Sequence, residues 1–161
     1  MEPENGHLVR LHEEYIKDTP IESLVANLTV LTCEMTNEVT KEIGVQTNRV
    51  YITSRTLKHL YDKKPAQEYD AIVTNLISIV RYPDHIYANN TAKRGCFCFY
   101  KQIDSVIFFC SIEKDGPLLP NFDILEANFV VTCFIFRNKQ KEERYLKNYK
   151  LLWSWKGDNP S

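Results

Sequence analysis

The apolar positions of this chain change period along its length, and the change divides it. Leu8, Leu11, Tyr15 and Ile16 recur at helical spacing, so residues 7–18 are expected to form a short helix. Thr19 and Pro20 then read as an N-cap and a first helical position, with Glu22 within reach of a capping box. The helix they open is expected to run to about Ile43 and to stop at Gly44. Its Thr and Val content works against it, because β-branched side chains are stiff in a helix. Residues 49–53 alternate and read as a strand, after which Ser54 caps a helix carrying Leu57, Leu60 and Tyr61 on one face. Pro65 opens the next helix, with an apolar stripe of Tyr69, Ile72, Val73, Leu76, Ile77 and Val80, and Pro83 ends it.

Beyond Pro83 the signal is strand-like. Residues 85–88 form a short candidate strand, and 96–103, 105–113 and 127–136 are stronger ones, with a loop at 116–121. Residues 138–148 return to helical spacing, and 151–155 read as a last strand or a segment docked on the core. Helices, then an antiparallel sheet, then a helix make an α+β fold. Residues 1–48 are expected to be a helical, acidic N-terminal extension packed on a unit spanning 49–156, with 157–161 as a fraying tail.

At 161 residues the chain has room for one domain with a real core, and 43% hydrophobic with 25% charged residues is globular rather than disordered composition. No apolar run of about 18 residues is present, so no membrane span is expected. The start Met-Glu-Pro-Glu has neither the basic nor the apolar region of a secretory leader. The five cysteines are Cys33, Cys96, Cys98, Cys110 and Cys133, an odd number without a Cys-x-x-Cys pair. Cys96 and Cys98 would share one strand face and could bind metal. Set among Phe, Val and Ile, the cysteines read instead as small buried hydrophobes in a reducing, cytoplasmic environment.

The net charge of −1 hides an asymmetry. Residues 1–48 hold nine acidic and three basic side chains, a charge of −6; residues 49–161 hold twelve and seventeen, a charge of +5. A mildly basic unit permits a nucleic-acid partner. The basic residues gather at Lys93, Arg94 and Lys101 around the first long strand, and from Arg137 to Lys150, where Lys147 stands in a segment netting +4. A solvated charged face accounts for the same residues.

With five glycines the chain has no phosphate loop, and it has no His-Glu-x-x-His and no paired carboxylate cluster for two metals. His7 and His12 lie five apart, a poor zinc spacing. His85 stands at an element junction, where it can simply bond a backbone group. His59 follows a strand on a short helix, with Arg55 and Lys63 four positions before and after it. A phosphate bound there would suit a side chain that shuttles a proton. The plainer reading is a partly buried, hydrogen-bonded histidine.

Five stretches in this order resemble the phage-associated branch of the Barnase–EndoU–colicin–RelE-like (BECR) nucleases: residues 50–65 (VYITSRTLKHLYDKKP), 79–86 (IVRYPDHI), 93–95 (KRG), 129–134 (FVVTCF) and 145–155 (YLKNYKLLWSW). The resemblance implies helices leading into a roughly four-stranded antiparallel sheet with a C-terminal helix, and metal-independent RNA cleavage on the sheet. It implies His59 as the helix histidine, Lys101 and Arg94 as basic strand positions and Thr132 as the strand hydroxyl. Ser54, Arg55, Lys93, Arg137 and Lys147 would hold substrate. A second histidine used by some relatives is missing unless His85 takes that part. The implied activity is an endoribonuclease, possible as a phage or mobile-element toxin or effector, acting by 2′-OH transesterification without cofactor or metal. RNA would be its partner, with an antitoxin or inhibitor protein possible and no membrane involved. The alternative is a nuclease fold without turnover that binds RNA or a protein.

Overall fold

The computed structural model of the chain describes residues 6–89, 97–117 and 126–156. Helix α1 (Gly6–Leu11) runs into a π-helical turn (His12–Ile16), which buries Leu8, Leu11 and Ile16. Residues 17–28 then form a strap without regular structure. Strand β1 (Thr29–Glu34), helix α2 (Asn37–Ile43) and strand β2 (Arg49–Thr53) follow. Helices α3 (Ser54–Lys63) and α4 (Ala66–Arg81) lead into strands β3 (His85–Ala88), β4 (Phe97–Ile103), β5 (Val106–Pro117) and β6 (Glu126–Ile135). Helix α5 (Lys139–Leu146) and strand β7 (Lys150–Ser154) complete the fold.

The long helix expected from Thr19 to Ile43 does not form. The Thr19 hydroxyl donates to the Ile16 carbonyl instead of capping a helix. The β-branched run around Val30 and Thr32 enters the sheet as β1, where such side chains pack well. Only the end of that helix survives, as α2. Thr36 caps it by accepting from the Val39 N–H at 3.3 Å, and Gly44 stops it in the left-handed conformation at φ 70°. Thr53, rather than Ser54, caps α3.

The sheet has seven strands in the order β1-β2-β6-β5-β4-β3-β7. Strands β2 and β6 run parallel, and every other neighbouring pair is antiparallel. The expected roughly four-stranded antiparallel sheet is therefore corrected to a seven-stranded mixed one, with five α-helices among the described residues. The segments that enlarge it are β1 and β2 at one edge and β7 at the other. The boundary expected at residue 48 divides no structure: β1 pairs with β2 across it, and Leu8, Val39 and Ile43 share one core with Ile72, Phe99 and Phe108.

Alternation along the strands assigns two faces. Phe97 and Phe99 of β4, Phe108 and Cys110 of β5, and Val130 and Cys133 of β6 bury against α1, α3 and α4. Cys98, Tyr100 and Phe109 point the other way and pack with Tyr87, Phe134, Phe136, Leu146 and Tyr149. That second face is aromatic and partly covered by α5. Among the described helices, none is long and apolar enough to cross a membrane.

Candidate functional site

The residues expected to act together lie in three separate places. His59 is exposed on α3, between exposed Arg55 and Lys63. It borders a shallow concavity shared with residues 22–25 of the strap. Beside it Lys58 is buried, its Nζ 2.6 Å from Asp62 Oδ1 and donating to the Pro20 carbonyl at 2.7 Å. Burial would raise the Asp62 carboxyl, but hydrogen bonds from Lys58 and the Glu22 N–H, with the charges of Lys58 and Lys63, hold it below its ordinary value. The polar groups of α3 thus hold the strap down. Ser54 belongs to the same work: it is buried, accepts from the Leu28 N–H at 2.8 Å and donates to the Ala26 carbonyl.

Lys101 is near the end of β4 on the helix-bearing face, where its Nζ pairs with Asp84 Oδ1 at 3.4 Å. No residue lines both its cavity and the concavity of His59. Thr132 pairs in register with Ser111, whose Oγ meets Cys98 Sγ at 3.5 Å, so it faces the opposite side of the sheet from α3. His59, Lys101 and Thr132 therefore do not form one constellation. Arg94 and Lys93 lie outside the described residues, as does Cys96. Arg137 and Lys147 are exposed at the two ends of the α5 segment.

What the fold does assemble is a cavity of about 770 Å³ where α2, the end of α4 and strands β3, β4 and β7 meet. Arg81 and Lys101 supply cations, Glu38, Asp84 and Asp104 supply carboxylates, and Tyr82, Trp153 and Trp155 supply aromatic rings. Tyr82 and Trp155 are 55% and 56% exposed, unusual for rings of that size, and the Arg81 guanidinium lies 5.5 Å from the Tyr82 ring. Trp153 Nε1 donates to Glu38 Oε1 at 3.3 Å, which orients the indole at the wall.

His85 and Tyr100 also line this cavity, from the strand end. Register places them side by side in a row that crosses five strands: Phe134, Phe109, Tyr100, His85 and Ser154. His85 Nδ1 lies 2.8 Å from Ser154 Oγ, and its ring centroid is 5.1 Å from that of Tyr100. Its Nε2 has no hydrogen-bond partner among the described residues. Burial lowers its pKa below the ordinary 6.5, against the opposing charges of Asp84 and Glu142, so the ring is neutral near pH 7. The Tyr100 hydroxyl donates to Glu142, the one buried residue of α5. Burial, that hydrogen bond and the Glu142 charge push the Tyr100 phenol up, so it stays protonated. Lys139 Nζ completes the group, 3.2 Å from Glu142 Oε2, at an angle that makes an ion pair rather than a hydrogen bond.

Sequence reasoning passed over Tyr82, Trp153 and Trp155, and held His85 only in reserve. The available signal was two aromatic-rich junctions, Tyr82-Pro83 and Trp153-Ser-Trp155, which the β3–β7 pairing brings together. Cys33, Cys98, Cys110 and Cys133 are buried, and burial pushes the Cys33 thiol up to about 12. Among the described residues, no three of His, Cys, Asp and Glu are placed to hold a metal ion. No family model, curated protein or solved structure matches the chain.

Proposed function

We propose that this chain is an endoribonuclease that takes single-stranded RNA into the β3–β4–β7 cavity, with His85 in the proton-transfer role that the sequence suggested for His59. One observation carries the reading. A neutral, half-buried histidine with an unengaged Nε2 borders a cavity whose walls hold two cations, three carboxylates and three large aromatic rings. The volume is in the range of small-molecule sites. Exposed rings stack bases without regard to sequence, and Arg81 and Lys101 answer the phosphate charge.

In this reading His85 removes the proton from the ribose 2′-OH as the 2′-oxygen attacks phosphorus. The P–O5′ bond breaks, the 5′-oxygen takes a proton from water, and a 2′,3′-cyclic phosphate remains. Arg81 stabilises the charge that builds on the phosphorane oxygens, and Lys101, on the opposite face of the sheet from His85, holds a neighbouring phosphate. DNA lacks the nucleophile and is inert. The test is incubation of the purified chain with total RNA in EDTA, with His85→Ala and His59→Ala in parallel. Cyclic-phosphate ends that vanish only with His85→Ala are the expected result. Equal cleavage by all three proteins sinks the assignment.

A second reading, RNA binding without turnover, is favoured by the Lys101–Asp84 pair, which already engages the cation nearest the strand end. It is the reading to adopt if RNA binds and quenches tryptophan fluorescence, yet no preparation releases cyclic-phosphate ends.

A further inference from the structure

Carboxylates on the wall of an RNA cavity repel phosphate, so each calls for a physical account. Asp84 is spent at the strand end, where its Oδ2 accepts from the Gln102 N–H at 2.8 Å and its Oδ1 pairs with Lys101. Asp104 belongs to the turn between β4 and β5, in left-handed backbone at φ 56° that its short side chain tolerates. Glu38 is different. It lines the cavity from α2, 115 residues from Trp153 in sequence, yet the Trp153 indole N–H donates to its Oε1 at 3.3 Å. Its Oε2 has no hydrogen-bond partner among the described residues. One oxygen is therefore pinned, and the other is left to accept from whatever the cavity holds.

Nucleobases differ in what they offer such an acceptor. Guanine presents N1–H and its N2 amino group side by side, two donors on one edge. Adenine and cytosine set an acceptor nitrogen beside their amino group, and uracil flanks its N3–H with two carbonyls, so each turns a lone pair toward the carboxylate. Stacking on Tyr82 and Trp155 tolerates any base, which leaves the choice to Glu38. We propose that Glu38 makes the cavity selective for guanine. The base stacks against the exposed rings, its N1–H and amino group donate to Glu38, and its 3′-phosphate lies toward Arg81. This selection rests on the reading of the cavity as an RNA site, and it names the guanosine as the nucleotide whose 2′-OH reacts.

Titration of the full chain with the four nucleoside 3′-monophosphates in EDTA, read by tryptophan fluorescence, tests the selection. The guanine nucleotide should bind about 10–100-fold tighter than the adenine one, the worth of hydrogen bonds to a charged group. Inosine 3′-monophosphate, which keeps N1–H but lacks the amino group, should fall between them. In Glu38→Gln the indole N–H still holds the amide oxygen, so the amide nitrogen turns to the cavity and opposes guanine's donors. That variant should keep its circular dichroism spectrum, lose the guanine preference and bind the adenine nucleotide at least as well as the wild type does. Equal affinity for all four nucleotides, or none for any, overturns the proposal, as does a Glu38→Gln chain that still prefers guanine. Guanine-selective binding by a chain that yields no cyclic phosphate from RNA supports the selection and removes the ribonuclease reading. His85-dependent cleavage after all four bases alike overturns the selection and keeps that reading.

Discussion

His59 and His85 occupy two regions of this molecule that a sequence presents in the opposite order of promise. His59 sits on a helix between Arg55 and Lys63, a setting that would suit a phosphate-handling residue, yet the fold leaves it exposed above a segment whose polar groups are spent on anchoring a strap. His85 begins a four-residue strand, with Asp84 directly before it and Arg81 four positions back. Strand pairing surrounds it with Tyr87, Tyr100 and Ser154 and sets it at the rim of a cavity that holds two cations and exposed aromatic rings. Proton transfer needs a group whose ionisation the protein controls, and partial burial controls it at His85. Adjacent charges along a helix are a weaker guide than what three strands bring to one point.

The largest expected effect separates the two histidines directly. His85→Ala should lower the cleavage rate by about 10²–10⁴, the usual worth of a positioned acid–base group, while His59→Ala leaves it unchanged. Single-turnover cleavage of a short RNA measures both, and a loss confined to His59→Ala would reverse the comparison. In the His59 region the expected cost is to stability. Lys58→Met removes the partner of Asp62 and of the Pro20 carbonyl, and should destabilise the fold by about 1–3 kcal/mol in urea titrations without altering turnover. In the His85 region, Trp155→Ala should weaken RNA binding by about 1–3 kcal/mol if a base stacks there, measured by fluorescence anisotropy in EDTA.

The remaining effects are smaller. The His85 pKa is lowered, so the neutral base persists below the ordinary 6.5, and kcat/KM should fall only as pH drops through that lowered value. The unfolded chain takes up this proton first. His85 therefore favours folding above about pH 6.5, and that contribution fades as pH falls through the folded-state pKa. A pH–rate profile with its acid limb at or above 6.5 would point away from His85. Lys147→Ala, exposed at the end of α5, should leave turnover alone and reduce the slope of log affinity against log salt by about 1 if it tracks the phosphate backbone.

Much of the local structure was legible. The alternation of Val50 and Ile52 marked β2, the Tyr69-to-Val80 stripe marked α4, and Pro83 marked its end, because these signals act within a few residues of themselves. The strap and β1 were misread for the same reason. Thr19, Pro20 and Glu22 carry a genuine capping pattern, but the Thr19 hydroxyl is taken by Ile16, Glu22 is drawn to Asp62, and β1 gains a full ladder with β2 that no local propensity announces. The candidate site was the least legible part. Lys101 and Tyr100 are neighbours in sequence, yet strand alternation sends them to opposite faces, and Thr132 follows Tyr100 rather than Lys101.

The amino-acid sequence by itself determined the α+β class and the approximate extent of most helices and strands from Arg49 onward, though β5 runs on to Pro117, through residues 116 and 117 expected to be loop. Caps, prolines and periodicity are properties of contiguous residues. Only the tertiary structure decided which functional side chains meet. The face of a strand residue depends on its register with a partner far along the chain, and a bulge such as the one between Ser111 and Ile112 changes that register by a residue. The pairing of β3 with both β4 and β7 placed His85 beside Tyr100 and Ser154 and brought Trp153 and Trp155 to the cavity near Tyr82. Those contacts span 15 to 69 residues of sequence, and no local pattern encodes a distance of that kind.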